Sequence, residues 1–206
     1  MPRDSSTPLR SARNDVSAVL LAGGESRRMG TDKATFLFRG KPLWQVQLET
    51  LRRLRPGEIF LSARTDPLWR PNDVRFVADI PPSCGPLSGV AASLMKIHTA
   101  HLLVLAIDMP FMTENYLRSI CDAVDPGRGV VAKIDNRVEP LAAVYPREAE
   151  IDFGTALAGN DFSLQNIVRH LFTSGKLLEI SVTEQERGLF RNVNTKSDVD
   201  ATIAGG

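Results

Sequence analysis

Apolar and polar positions follow two rhythms along this chain. Largely apolar, β-rich runs recur at Val16–Ala22, Glu58–Ala63, Val74–Ala78 and Leu102–Ile107, bounded by Pro, Gly, Asn and Asp. Such runs read as strands buried on both faces, the kind that parallel sheets use. Between them, Trp44, Leu48, Leu51 and Leu54 return at helical spacing and predict a helix from about Pro42 to Leu54, stopped by Pro56-Gly57. Its basic end, Arg52-Arg53-Leu54-Arg55, favours the macrodipole. Further helices are predicted over Leu87–Ile97 and Thr113–Val124, and Leu164, Ile167, Val168, Leu171 and Phe172 recur as the core stripe of another. Leu102–Ile107, the most apolar run, is the predicted central strand. Gly129–Asp135 and Pro140–Tyr145 predict two more strands, joined by residues 136–139 as a hairpin or an excursion over a site. This alternation predicts an α/β fold of three layers with a mostly parallel sheet, its ligands at the carboxyl ends of the first and central strands.

Composition narrows the picture. With 206 residues and 43% apolar content the chain supports one sizeable core, so residues 16–206 are predicted as a single domain. Residues 1–15, rich in Ser, Arg and Pro, bury too little to offset their ordering entropy and are predicted to be a flexible tail. Lys and Arg number 25 against 24 Asp and Glu. That balance gives no global field for nucleic acid or an acidic membrane surface, so any anion recognition is local. No apolar run is long enough for a membrane span or signal peptide, and Cys84 and Cys121 show no paired or metal-type spacing, so a cytoplasmic protein is expected. His98 and His101, spaced i, i+3, have no third ligand nearby and read as solvated, and His170 has no evident partner.

The candidate chemistry sits where the runs end. Leu20-Leu21-Ala22-Gly23-Gly24-Glu25-Ser26-Arg27-Arg28-Met29-Gly30-Thr31-Asp32-Lys33 follows the first strand. Glycines there let backbone N–H groups approach an anion, and Arg28 and Lys33 supply countercharge, so the stretch reads as a phosphate cradle. It matches neither a Walker loop nor a G-x-G-x-x-G fingerprint. In Asp79-Ile80-Pro81-Pro82-Ser83-Cys84-Gly85-Pro86-Leu87-Ser88-Gly89, an acidic strand end runs into a rigid loop whose Gly85 and Gly89 permit close approach of a flat ligand. Asp108 ends the central strand, with Pro110 turning the chain away, a place suited to Mg²⁺ held by one carboxylate plus substrate phosphates. Thr113 with Glu114 is the cap of the helix that follows. Asn192 and Asn194 alternate on an extended segment, so their amides face one side, where they serve either a ligand or loop backbone.

Residues 21–33 resemble the signature loop of the molybdenum cofactor guanylyltransferases, the MobA-type nucleotidyltransferases. Four later segments share the resemblance: Asp79 with Gly85-Pro86-Leu87-Ser88-Gly89, Asp108-Met109-Pro110, Glu139-Pro140-Leu141 and Asn192-Val193-Asn194-Thr195. The resemblance implies a Rossmann-like nucleotidyltransferase fold and transfer of GMP from GTP to the terminal phosphate of molybdopterin carrying molybdenum, with release of pyrophosphate. It implies Mg²⁺ on Asp108, catalytic Arg28 and Lys33, and nucleotide contacts from Leu21, Ala22, Gly23, Gly24, Lys33, Asp79, Gly85, Gly89 and Asp108. Asn192 and Asn194 would face the acceptor, and Glu139 would contact substrate or only charge a strand edge. Molybdenum cofactor insertion proteins and client molybdoenzymes are the implied partners downstream. Relatives that transfer CMP typically carry Leu-Ala-Ala-Gly, so Gly23 favours guanine over a cytidylyltransferase or a sugar or alditol-phosphate nucleotidyltransferase. The position those guanylyl proteins often fill with Asn is here within Ser62-Ala63-Arg64, and the basic residue they often place near the start of the helix carrying Leu164 and Ile167 is absent here, with Arg169 lying later. A non-catalytic carrier of the cofactor is the remaining alternative, against which stand Arg28, Lys33 and Asp108 together.

Overall fold

The computed structural model describes residues 15–23, 32–81, 85–159, 162–194 and 198. Gly24, Arg28, the tail before Asp15, Cys84, Thr195 and Ser197 lie outside the described residues.

The described strands are β1 (Val16–Leu21), β2 (Leu37–Phe38), β3 (Lys41–Pro42), β4 (Ile59–Ala63), β5 (Arg75–Ala78), β6 (His101–Ala106), β7 (Gly129–Ile134), β8 (Arg137–Pro146) and β9 (Leu177–Ser181). The helices are α1 (Leu43–Leu54), α2 (Pro86–Leu94), α3 (Glu114–Asp122), α4 (Glu150–Ala158) and α5 (Leu164–Thr173). Seven strands form one sheet in the order β5-β4-β1-β6-β8-β7-β9, and β2 and β3 make a separate hairpin. As expected, β6 is central, and all its residues are buried. β1 is parallel to both β4 and β6, with Leu21 in register with Ser62 on one side and Ala106 on the other. These three strands therefore end at one level.

Alternation of side chains divides the core cleanly. Ala18, Leu20, Leu103, Leu105, Val130 and Val144 point into a layer with Leu43, Leu48 and Leu51 of α1 and Tyr116, Leu117 and Ile120 of α3. Val19, Leu21, Leu102, Val104, Val131 and Tyr145 point the other way, onto α2, Phe153 of α4, and Ile167, Val168 and Leu171 of α5. Each fully buried Leu or Val contributes about 1.5–3 kcal/mol through removal from water. The three layers follow from strands that are apolar on both faces.

Local chemistry sets the boundaries. Arg39 and Gly40, at φ of 51° and 79°, make the two-residue turn between β2 and β3, the conformation that matches strand twist. α1 stops because Arg55 takes the left-handed conformation, at φ 55°, one residue before Pro56. Thr113 caps α3 by accepting from Tyr116 N, and Ser163 caps α5 by accepting from Asn166 N. α4 and β9 carry no clean periodic stripe; of the α4 residues only Phe153 is buried, so periodicity does not predict that helix.

Two expectations need correction. β5 is an edge strand with one buried residue and not a strand of the core interior, because β4 covers only one side of it. The connection between β7 and β8 is only Asp135-Asn136, and residues 137–139 belong to β8. β8 runs antiparallel to both neighbours, and its pairing with β7 jumps from Val131↔Ala143 to Ala132↔Glu139. Pro140, which has no N–H to offer, sits inside that irregularity.

Candidate active site

Three strand ends build the site. Ala22 N donates to Ser62 O at 2.9 Å, Ile107 N to Leu21 O at 3.1 Å, and Asp79 N to Ala63 O at 3.1 Å. These last rungs fix Gly23, Asp79 and Asp108 one or two residues beyond the sheet, side by side, where open α/β sheets bind ligands.

At the centre, Lys33 Nζ donates to Asp108 Oδ2 at 3.2 Å and to Asn194 Oδ1 at 2.9 Å. Residues 75 and 161 positions away in sequence thus meet on one ammonium. Each partner is anchored locally. Lys33 opens a 3-10 turn, Lys33–Thr35, capped by Asp32, whose Oδ1 accepts from Ala34 N. The Asp108 carbonyl accepts from Val193 N at 2.8 Å, which lays the segment carrying Asn194 against the end of β6. Asn194 N donates to Asp198 Oδ2 at 2.8 Å. Val193 is buried and Asn192 and Asn194 are exposed, so the alternation of the two amides holds. The Lys33 and Asp108 side chains remain 24% and 22% exposed. A pair that open is worth at most about 1 kcal/mol, so a polyanion can displace it.

Asp79 forms the second arm. Its Oδ1 accepts from Ser62 Oγ at 2.8 Å, and a Cβ on Gly23 would lie 2.9 Å from its Oδ2. Glycine at 23 is thus what admits the carboxylate to the end of β1. Gly89, expected to admit a flat ligand, is buried in the α2–sheet interface; its Cβ would lie 2.5 Å from Ser62 Oγ. It bears on the site by making room for Ser62. Gly85 is the N-cap of α2 at φ 69°, ψ −144°, a conformation open essentially only to glycine.

The third arm is Glu139. Because β8 runs backwards, with Ala142 opposite Leu105, its earlier residues reach past the end of β6 to the Asp108 side. Leu141 N donates to Glu139 Oε1 at 3.1 Å. Burial, and with it the charge of Asp108, raises the Glu139 carboxyl above its ordinary range against the opposing pull of the Leu141 N–H and Arg137. Glu139 and Asp108 are therefore electrostatically coupled at this end of the sheet.

Two residues have roles the sequence reading did not give them. Ser62, named there only as part of Ser62-Ala63-Arg64, holds Asp79. Trp69, in the connection between β4 and β5, donates its indole N–H to Asp32 Oδ2 at 2.9 Å and stacks on Trp44 with ring centroids 5.5 Å apart. It closes one wall of an open cleft of ≈170 Å³ that Ala22, Gly23, Asp32, Arg64 and Thr65 also line. A larger open cleft of ≈520 Å³ is lined by residues of β2, β3 and α1 and by Pro110–Glu114, and its walls include none of the expected site residues.

The histidines fall elsewhere, and two readings are corrected. His101 is buried, not solvated; its Nε2 lies 3.1 Å from Asp125 O and 3.2 Å from Arg128 O, both acceptors, so Nε2 carries the proton. His170 has a partner, Asp152 Oδ1 at 3.0 Å. Arg169 bonds Asn166 Oδ1 on the exposed side of α5. Among the described residues no three His, Cys, Asp or Glu side chains cluster as metal ligands, and no helix is long and apolar enough to cross a membrane. Around Lys33 the donors are the Asp108 carboxylate and the Asn194 carbonyl, hard oxygens that fit Mg²⁺ far better than a soft or borderline metal.

Comparison with known proteins gives the same direction. Residues 18–174 match the model of the MobA-like NTP transferase domain. A probable molybdenum cofactor guanylyltransferase of Opitutus terrae is 34% identical over 188 residues, 90% of this chain and 93% of the relative. The molybdenum cofactor guanylyltransferase of Syntrophotalea carbinolica is 30% identical over 193 residues, 89% of each. In fold, the chain resembles the molybdopterin-guanine dinucleotide biosynthesis protein A of Archaeoglobus fulgidus, with a TM-score of 0.70 at 24% identity, over 90% of this chain and 95% of that one.

Proposed function

The chain belongs to the MobA-like NTP transferase family, and from that premise we propose that it transfers GMP from GTP to the terminal phosphate of molybdopterin, releasing pyrophosphate and forming molybdopterin guanine dinucleotide. The observation that carries the reading is the convergence of Lys33, Asp108 and Asn194 beyond the central strand. A lysine from the glycine-rich stretch, held by a displaceable carboxylate, is what a triphosphate site needs before substrate arrives.

In the reaction an acceptor phosphate oxygen bonds to the α-phosphorus of GTP as the bond to the β-phosphate oxygen breaks, and the electron pair leaves with pyrophosphate. No protein nucleophile is needed, so placement and fixed positive charge supply most of the rate. Lys33 leaves Asp108 for the triphosphate and balances the charge that grows on the leaving group. Asp108, with the phosphates, would hold Mg²⁺, and the Asn194 side-chain oxygen would offer a second hard ligand. The ion supplies positive charge against the phosphates when bound. Asp79 and Gly23 flank the nucleotide, and the guanine N–H donors suit the Asp79 carboxylate. Asn192, Asn194 and Glu139 face the acceptor. Arg28 completes the countercharge in this reading.

The test is pyrophosphate release with Mg²⁺, molybdopterin and each of the four nucleoside triphosphates in turn. Release with GTP alone, lost in Asp108→Ala, is the expected result. Release with CTP instead would move the chain to cytidylyl transfer, and no release with any would leave binding without chemistry.

A further inference from the structure

We propose that Trp69 is a positioning residue for the triphosphate lysine: its indole N–H, fixed by stacking on Trp44, holds Asp32 and through it the turn that aims Lys33. The proposal rests on the reading that Lys33 engages the triphosphate.

Both Asp32 oxygens are committed. Oδ1 takes Ala34 N at 3.0 Å, the bond that starts the Lys33–Thr35 turn, and Oδ2 takes Trp69 Nε1 at 2.9 Å. The first bond is local and fixes the backbone of the turn. The second comes from 37 residues away and fixes the turn relative to the rest of the molecule. Trp69 is itself held, since its ring lies 15° from parallel with that of Trp44 on α1, a helix seated through Leu43, Leu48 and Leu51 in the core. Trp44, Trp69, Asp32 and Lys33 thus form one chain of contacts from core to ammonium.

A lysine has four flexible bonds, and its ammonium is most effective when its Cα is placed. Trp69 also walls the cleft beside Gly23, so a ligand in that cleft touches the residue that places Lys33. Nothing in this chain of contacts needs Trp69 to meet the reacting atoms.

The test is the GTP dissociation constant, with Mg²⁺ present, for wild type, Trp69→Phe, Lys33→Ala and the double variant. Phenylalanine keeps an aromatic face against Trp44 while removing the N–H together with part of the indole ring. Loss of one charge-assisted hydrogen bond in a half-exposed setting is expected to weaken GTP about fivefold in Trp69→Phe. In the Lys33→Ala background the same change is expected to have less than about a twofold effect, because its route to the ligand is gone. A merely structural Trp69 would weaken both backgrounds equally, and that result, or unchanged GTP binding in Trp69→Phe, overturns the proposal. Should Trp69→Phe fold poorly, Asp32→Asn, which cannot accept both bonds, is expected to show the same dependence on Lys33. Lys33→Ala binding GTP as wild type does would overturn the parent reading, whereas a weakened Lys33→Ala with an unaffected Trp69→Phe sinks the latch alone.

Discussion

The two ends of β6 place a polar side chain in opposite situations. At the amino end His101 is buried, and its ring N–H is shared by two backbone carbonyls, while the carbonyl of His101 accepts from Thr99 Oγ1. At the carboxyl end Asp108 is partly open and its carboxylate rests on a lysine that also holds Asn194. Backbone partners leave only when the fold opens, whereas a partly exposed lysine can leave when a better anion comes. A polar group satisfied by buried backbone is fixed with the fold, whereas one satisfied by a partly exposed opposite charge can exchange its partner.

Substitutions at the two ends should therefore separate. Asp108→Ala is expected to lower the transfer rate at least about 100-fold, roughly 2.7 kcal/mol of barrier, and to leave the melting temperature close to that of wild type. A rate within a few-fold of wild type would remove Asp108 from the site. His101→Ala is expected to do the reverse, costing about 1–3 kcal/mol of stability in denaturant titration while the rate per folded molecule stays unchanged. Lys33→Ala is expected to lose at least about tenfold in rate, roughly 1.4 kcal/mol, with little change in stability.

The smallest effect tests the electrostatics between the ends. Glu139 has its carboxyl raised by burial and by Asp108, so the folded state binds its proton more tightly than the unfolded state does. Stability from that group is present at acid pH, below its unfolded value, and falls as pH rises through its folded value. Glu139→Gln keeps an acceptor for Leu141 N, so it is expected to be slightly more stable than wild type at neutral pH. That advantage should vanish toward the ordinary carboxylate range. A constant difference from acid to neutral pH in paired thermal melts would show that burial of the charge is not the cause.

Much of this was legible in the chain itself. β1 and β6 are almost wholly apolar, the pattern of a strand buried on both faces, so the central sheet and the position of Asp108 were readable from the pattern of residues. Lys33 and Asn194 stood in motifs, but their meeting depends on Val193 docking on the Asp108 carbonyl, a long-range bond no local pattern encodes. Trp69 escaped because its partners lie 25 and 37 residues away and its flanking sequence is that of an ordinary turn. His101 was misjudged for a related reason: a histidine at a strand entry looks solvated until the turn at Asp125–Arg128 covers it. Glu139 became readable only when β8 proved antiparallel, which brings its early residues to the site end of the sheet.

The measurement that bears most directly on the difference between the two ends is GTP affinity with and without Mg²⁺, in wild type and in Asp108→Asn. Mg²⁺ is expected to tighten GTP binding at least about tenfold in wild type and to have almost no effect in the variant, because the carboxylate freed from Lys33 is what the ion and phosphates share. The same Mg²⁺ response in both proteins would contradict the assignment of the carboxyl end of β6 as the metal and triphosphate site.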